Sequence, residues 1–141
     1  MADTLKIVGP SRLVGAVTVS GAKNAALPMM IASLLASEPV TFHNVPNLED
    51  TPLTYQLLEH FGAQVKTFGR SATCSIPMLR ATGAGYRLGK ALRASFWVLG
   101  PLLARGRAAR VSLPGGDIIG ARPVDMHLEA LTAMGADIRV K

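Results

Sequence analysis

One pattern occurs twice in these 141 residues, and it restricts the fold more than any single motif does. The first copy is an apolar helix that opens at Lys23 and ends Leu34-Leu35-Ala36, then a strand over 40–45, Pro46, a loop, a helix over 52–61 and Gly62-Ala63-Gln64-Val65. The second is a helix from Arg93 ending Leu102-Leu103-Ala104, then a strand around Val111, Pro114, a loop, a helix from Pro123 and Gly135-Ala136-Asp137-Ile138. The offset is 68 residues between Leu34 and Leu102 and between Pro46 and Pro114, and 73 between Gly62 and Gly135, so one loop differs by a few residues. The chain is therefore expected to be an α/β protein made of two repeated units, 5–67 and 72–140.

The helix assignments rest on apolar spacing. Leu53, Leu57, Leu58 and Phe61 share one face, as do Met126, Ala130, Leu131 and Met134, and a glycine closes each run. Pro52 and Pro123 stand at helix starts, where the missing N–H had no intrahelical partner to lose. Pro28 is expected in an early turn and Pro101 at a kink or helix end. Short strands are expected over 5–8, 17–20 and 73–76. Such units host many chemistries, so function has to come from particular residues.

Composition removes several classes. Hydrophobic residues make up 49% and charged residues 17%, which supports a packed core and argues against disorder. The longest apolar run, 25–36, is broken by Pro28 and Ser33 and is too short to cross a bilayer. The N-terminus lacks the basic and apolar regions of a signal peptide, so a cytoplasmic location is expected. Cys74 is the single cysteine; it forms no intrachain disulfide and reads as a small buried residue. His43, His60 and His127 lack metal-ligand spacing, and neither a metal nor a cofactor is expected.

The net charge of +6 is concentrated between positions 80 and 122, where Arg80, Arg87, Lys90, Arg93, Arg105, Arg107, Arg110 and Arg122 face one acid, Asp117. An anionic partner follows. Nucleic acid fits poorly, because only seven of the 141 residues are aromatic, few for a base-stacking platform. A small phosphorylated metabolite fits better. Three predicted helices also begin beside a cation: Lys23, then Lys90 and Arg93, then Arg122. Cations are disfavoured there by the helix dipole unless an anion joins them. One such helix would simply point its charge at water, but three in related positions favour a shared anion site. The segment 112–123 adds a glycine-rich loop around Asp117, which by itself reads as a turn residue bonded to nearby backbone.

Ser20-Gly21-Ala22-Lys23-Asn24-Ala25-Ala26-Leu27-Pro28, Arg93-Ala94-Ser95 and the run from Pro114-Gly115-Gly116-Asp117 through Gly120-Ala121-Arg122-Pro123-Val124-Asp125-Met126-His127 resemble the successive signatures of the UDP-N-acetylglucosamine enolpyruvyl transferase family. The likeness covers nearly the whole chain. The 5-enolpyruvylshikimate-3-phosphate synthases share the fold but carry a different lysine motif. The resemblance implies domains built from three α/β units as an inside-out barrel, with the active site in the cleft between two domains. It implies transfer of the enolpyruvyl group of phosphoenolpyruvate to the 3-hydroxyl of UDP-N-acetylglucosamine, the first committed step of peptidoglycan synthesis. Lys23, Asn24 and Arg122 would then contact phosphoenolpyruvate, and Arg93, Arg122, Pro123, Val124, Asp125 and Met126 the sugar nucleotide.

By the same resemblance, Asp117 occupies the loop position where the family commonly has a cysteine as proton donor. A carboxylic acid does that work if neighbouring substrate anions keep it protonated. Fosfomycin inactivates the family by alkylating that cysteine, so resistance is expected here. Two units cover only part of the pattern, with a third unit and the second domain absent. The 141-residue chain is accordingly expected to be a partial domain that binds ligands weakly without turnover, and self-association through exposed edges is expected. Two other readings stay open: a non-catalytic module for an anionic nucleotide, and a 5-enolpyruvylshikimate-3-phosphate synthase-like enzyme.

Overall fold

The computed structural model describes residues 4–84, 93–113 and 123–140. The first repeat forms as expected in outline. Helix α1 spans Lys23–Ala32 and continues as a 3-10 turn, Ser33–Leu35. Strand β1 is Val40–Phe42, helix α2 is Asp50–His60, and the hairpin strands are β2, Gln64–Phe68, and β3, Ser71–Ser75. The sheet runs β1-β3-β2, antiparallel throughout, with Thr73 opposite both Thr41 and Lys66.

One face of this sheet is dry and the other wet, as the period-two rule for strands demands. Ala72 and Cys74 of β3, with Ile76 just beyond it, point into the core. Thr41 and Thr73 hydrogen-bond across the exposed face at 2.9 Å, and His43 meets Ser71 at 3.1 Å. The core is filled from α1 by Leu27, Met30, Ile31 and Leu34, and from α2 by Leu57, Leu58 and Phe61. Burying each of these large side chains is worth about 1.5–3 kcal/mol.

Helix α2 ends as the sequence predicts. Gly62 has φ 104°, a left-handed value that favours glycine, and its N–H bonds to the Glu59 carbonyl at 2.9 Å while Ala63 N–H reaches Leu58 at 3.0 Å. The second repeat reproduces this ending. Gly135 has φ 98°, Gly135 N–H bonds to Thr132 at 2.9 Å, and Ala136 N–H reaches Leu131 at 3.0 Å. The matching hydrogen bonds are the structural form of the 73-residue offset.

The remainder of the second repeat departs further from expectation. Residues Arg93–Val98 form a 3-10 helix, α3 spans Leu99–Gly106, and α4 spans Asp125–Ala133. The two internal prolines sit differently from expectation. Pro28 lies in the second turn of α1, where its ring removes a bond to the Asn24 carbonyl, whereas Pro101 lies in the first turn of α3, just past the change from 3-10 to α geometry. Pro123 precedes α4 by two positions instead of opening it.

Several segments that read as strands do not form them. Residues 5–8 and 17–20 are unpaired and exposed, with Leu5 at 86% and Val17 at 90%, and 136–140 form no strand after α4. A strand exists by virtue of a neighbour to share its ladder. Among the described residues no strand pairs with these segments. Around Val111 only an isolated parallel bridge joins Gly83 to Arg110, with Arg110 N–H on the Thr82 carbonyl at 2.8 Å. The apolar stripe predicted on α4 forms but finds no cover: α4 has no buried residue, and Met126 is 72% exposed.

Candidate anion-binding site

Lys23 is the first residue of α1, as its motif predicts. The helix start is bare: its N-cap residue is Ala22, no side chain caps it, and no acid lies in its first turn. Gly21 explains why the motif needs glycine. A Cβ at that position would collide with the carbonyl oxygen of Asn44, in the turn after β1. Asn44 adopts the left-handed φ of 56°, and its amide donates to the Val19 carbonyl at 3.2 Å. These contacts seat the start of α1 against the end of β1 and fix where the Lys23 backbone stands.

Lys23 Nζ is paired with Asp50 Oδ2, on the first residue of α2. Asp50 is the residue that sequence reasoning missed. Its signal was present, since acids favour the first turn of a helix, but the proline at 52 drew the predicted start two residues too far along. The beginning of α2 is held by buried groups: Thr51 Oγ1 donates to the Pro46 carbonyl at 2.8 Å, and Thr54 Oγ1 to the Asp50 carbonyl at 2.8 Å. The ion pair itself is open to solvent, with side-chain exposures of 48% and 30%. Pairs of that kind contribute about 0–1 kcal/mol to stability.

Asn24 is exposed beside Lys23. Helix α1 packs against the segment Arg93–Val98, and the Phe96 ring meets His127 of α4 edge-on, 6.0 Å between centroids at 90°. The elements that carry Lys23, Arg93 and Asp125-Met126 are thus neighbours in sequence of packing. Asp125 and Met126 are exposed at the start of α4, with Pro123 and Val124 just before it. Lys90, Asp117 and Arg122 lie outside the described residues, as does the side chain of Arg93.

A hollow of about 310 Å³ lies between one face of α1 and residues 41–45. Ala22, Ala25, Ala26, Met29 and Met30 form its helical wall, a stripe with spacings of three and four that leaves Lys23 and Asn24 to one side. Thr41, His43 and Asn44 supply polar groups on the opposite wall, and neither Lys23 nor Asn24 lines it.

Not every cation of the basic segment is free for a ligand. Arg105 donates through Nη1 to the carbonyls of Leu34 at 3.0 Å and Ala36 at 3.3 Å, and through Nη2 to Ile76 at 2.6 Å. It therefore clamps α3 onto the segment after α1 and onto the residue that follows β3. Cys74 is fully buried, and that burial pushes its thiol pKa up, with a Ser33 hydrogen bond opposing and the Glu59 charge reinforcing the shift. Among the described residues no group of three metal-ligating side chains occurs, and no helix is long and apolar enough to cross a membrane.

The fold around this helix start is shared with a solved enolpyruvyl transferase. The chain is similar in structure to the enolpyruvyl transferase NikO from Streptomyces tendae, with a TM-score of 0.76 and 24% identity over 94% of this chain and 29% of that one. Residues 7–141 match the EPSP synthase (3-phosphoshikimate 1-carboxyvinyltransferase) family, and the chain belongs to that family. It is 54% identical over 141 residues to the UDP-N-acetylglucosamine 1-carboxyvinyltransferase of Hyphomonas neptunium and 49% identical over 139 residues to that of Baumannia cicadellinicola. Each match covers 99% of this chain and 33% of the relative, so the chain spans about a third of their length.

Proposed function

We propose that this chain forms part of an enzyme that transfers the enolpyruvyl group of phosphoenolpyruvate to the 3-hydroxyl of UDP-N-acetylglucosamine, in the cytoplasm, at the first committed step of peptidoglycan synthesis. The observation that carries this reading is Lys23, half-exposed at the head of an uncapped helix within the Ser-Gly-Ala-Lys-Asn motif. Lys23 and Asn24 receive the phosphate and carboxylate of phosphoenolpyruvate, together with Arg122. Arg93 and the stretch Arg122, Pro123, Val124, Asp125 and Met126 hold the sugar nucleotide. Asp117 protonates the methylene carbon of phosphoenolpyruvate. Its carboxyl has to keep a proton near neutral pH, which the negative charge of the bound substrates favours. Half-identity to two enzymes named for the sugar nucleotide supports that substrate over shikimate 3-phosphate.

The test is a chimera in which this chain replaces the matching third of the Hyphomonas relative. Inorganic phosphate is expected only when both substrates are present, and Lys23→Ala is expected to slow its release by about 100- to 1,000-fold. Phosphate release that ignores the sugar nucleotide would overturn the reading. The chimera is also expected to survive fosfomycin, a carboxylate being a poorer nucleophile than a thiolate, and Asp117→Cys to become inactivated with time. Time-dependent covalent labelling of Asp117 by the drug would contradict the expected resistance.

A further inference from the structure

We propose that Asp50 is a built-in counter-anion for Lys23, occupying the lysine until a phosphorylated ligand displaces it; the inference rests on the reading of Lys23 as an anion-binding residue. Three observations carry it. The carboxylate and the ammonium are in direct contact, yet both are partly open to solvent, so the pair is reachable by a competing anion. The two groups stand at the first residues of two packed helices, α1 and α2, so neither is free to drift away with a loop. The backbone beneath Asp50 is held by Thr51 and Thr54, both buried, whereas nothing comparable caps α1.

The physical consequence is a charge threshold. A flexible lysine stem would otherwise let the ammonium sample many positions, and Asp50 restrains it close to the head of α1. An arriving anion has to offer Lys23 more than a single carboxylate does. A monoanion such as acetate gains little by that exchange. Phosphoenolpyruvate, with a phosphate and a carboxylate, gains more, because it also uses the free N–H groups at the uncapped start of α1. Asp50 thus contributes to specificity while lowering affinity for every anion.

The experiment titrates the purified 141-residue chain with phosphoenolpyruvate and, separately, with acetate, following the backbone amide resonances of Lys23 and Asn24 by NMR. Asp50→Asn is expected to bind phosphoenolpyruvate about 3- to 10-fold more tightly and to respond to acetate, which the unaltered chain ignores. Asp50→Ser keeps a residue suited to a helix start and is expected to behave likewise, which separates charge from folding. In a Lys23→Ala background Asp50→Asn is expected to change nothing further. Weaker or unchanged binding in both Asp50 variants would overturn the inference while leaving Lys23 in its role. Unchanged binding in Lys23→Ala would instead overturn the reading of Lys23, and absence of any saturable response in the unaltered chain would remove both.

Discussion

Phe61 ends α2 and Met134 ends α4, 73 residues further on, at matching places in the repeat; Phe61 is fully buried and Met134 is 80% exposed. The contrast is similar one turn earlier, where Leu57 and Leu58 are inaccessible while Ala130 is exposed and Leu131 only half-buried. The hydrogen bonds at both helix ends are the same, so local backbone structure does not depend on burial. Packing does depend on it. The sheet β1-β3-β2, whose central strand β3 comes from the start of the second unit, gives α1 and α2 a surface to cover, and no sheet among the described residues does this for α4. A repeated unit of this fold encodes its helix endings alone and its core only together with strands.

The largest test of that contrast is truncation at the two matching places. Phe61→Ala is expected to cost about 3–5 kcal/mol in urea unfolding and Met134→Ala less than about 0.5 kcal/mol. Equal losses would mean that α4 is packed in solution. The two closing glycines sharpen the comparison. A Cβ at Gly62 would stand 2.5 Å from the Met78 carbonyl oxygen, whereas at Gly135 it would meet nothing within 4 Å. Gly135→Ala should therefore show only the cost of a left-handed alanine, about 1–2 kcal/mol, and Gly62→Ala distinctly more.

Arg105 tests how the units are joined. Arg105→Lys keeps the charge but offers no planar fork for three carbonyls, and a loss of about 1–2 kcal/mol is expected by thermal unfolding. No loss would make the clamp incidental. The smallest effect concerns Cys74. Its buried thiol has a raised pKa, so the folded chain holds that proton more tightly than the unfolded one; stability is full below the ordinary thiol value of 9.0 and falls as pH rises above it. Cys74→Ala should flatten that decline in pH-dependent unfolding curves, and an unchanged slope would assign it to another group, with Tyr55, also raised by burial, the next to examine.

Much of this was legible in the residues, and the failures share a cause. Helix α2, the hairpin strand β3 and the buried Cys74 follow from period and propensity, which are local. The ends Gly62 and Gly135 were readable because a left-handed residue at a helix terminus is nearly always glycine. The segments 5–8 and 17–20 have strand-like alternation, but a strand also needs a partner, and no local signal names one. Pro28 is tolerated inside α1 because packing of Met30, Ile31 and Leu34 outweighs one lost hydrogen bond, a balance that no local signal carries. At the candidate site Lys23 and Asn24 were recognisable from their motif. Asp50 was not, because its relation to Lys23 arises only when two helices separated by a strand are laid side by side.

Gly21 has a consequence for how such a site changes under selection. The contact that sets the head of α1 is between backbone atoms, Gly21 against the Asn44 carbonyl, and no ligand takes part in it. In a library randomised over 20–24 and selected for a new anion, positions 23 and 24 should diverge with the shape and charge of the ligand. Position 21 should return glycine from every selection. The motif then separates into a hinge plate that evolution cannot move and a pair of side chains that it can retool.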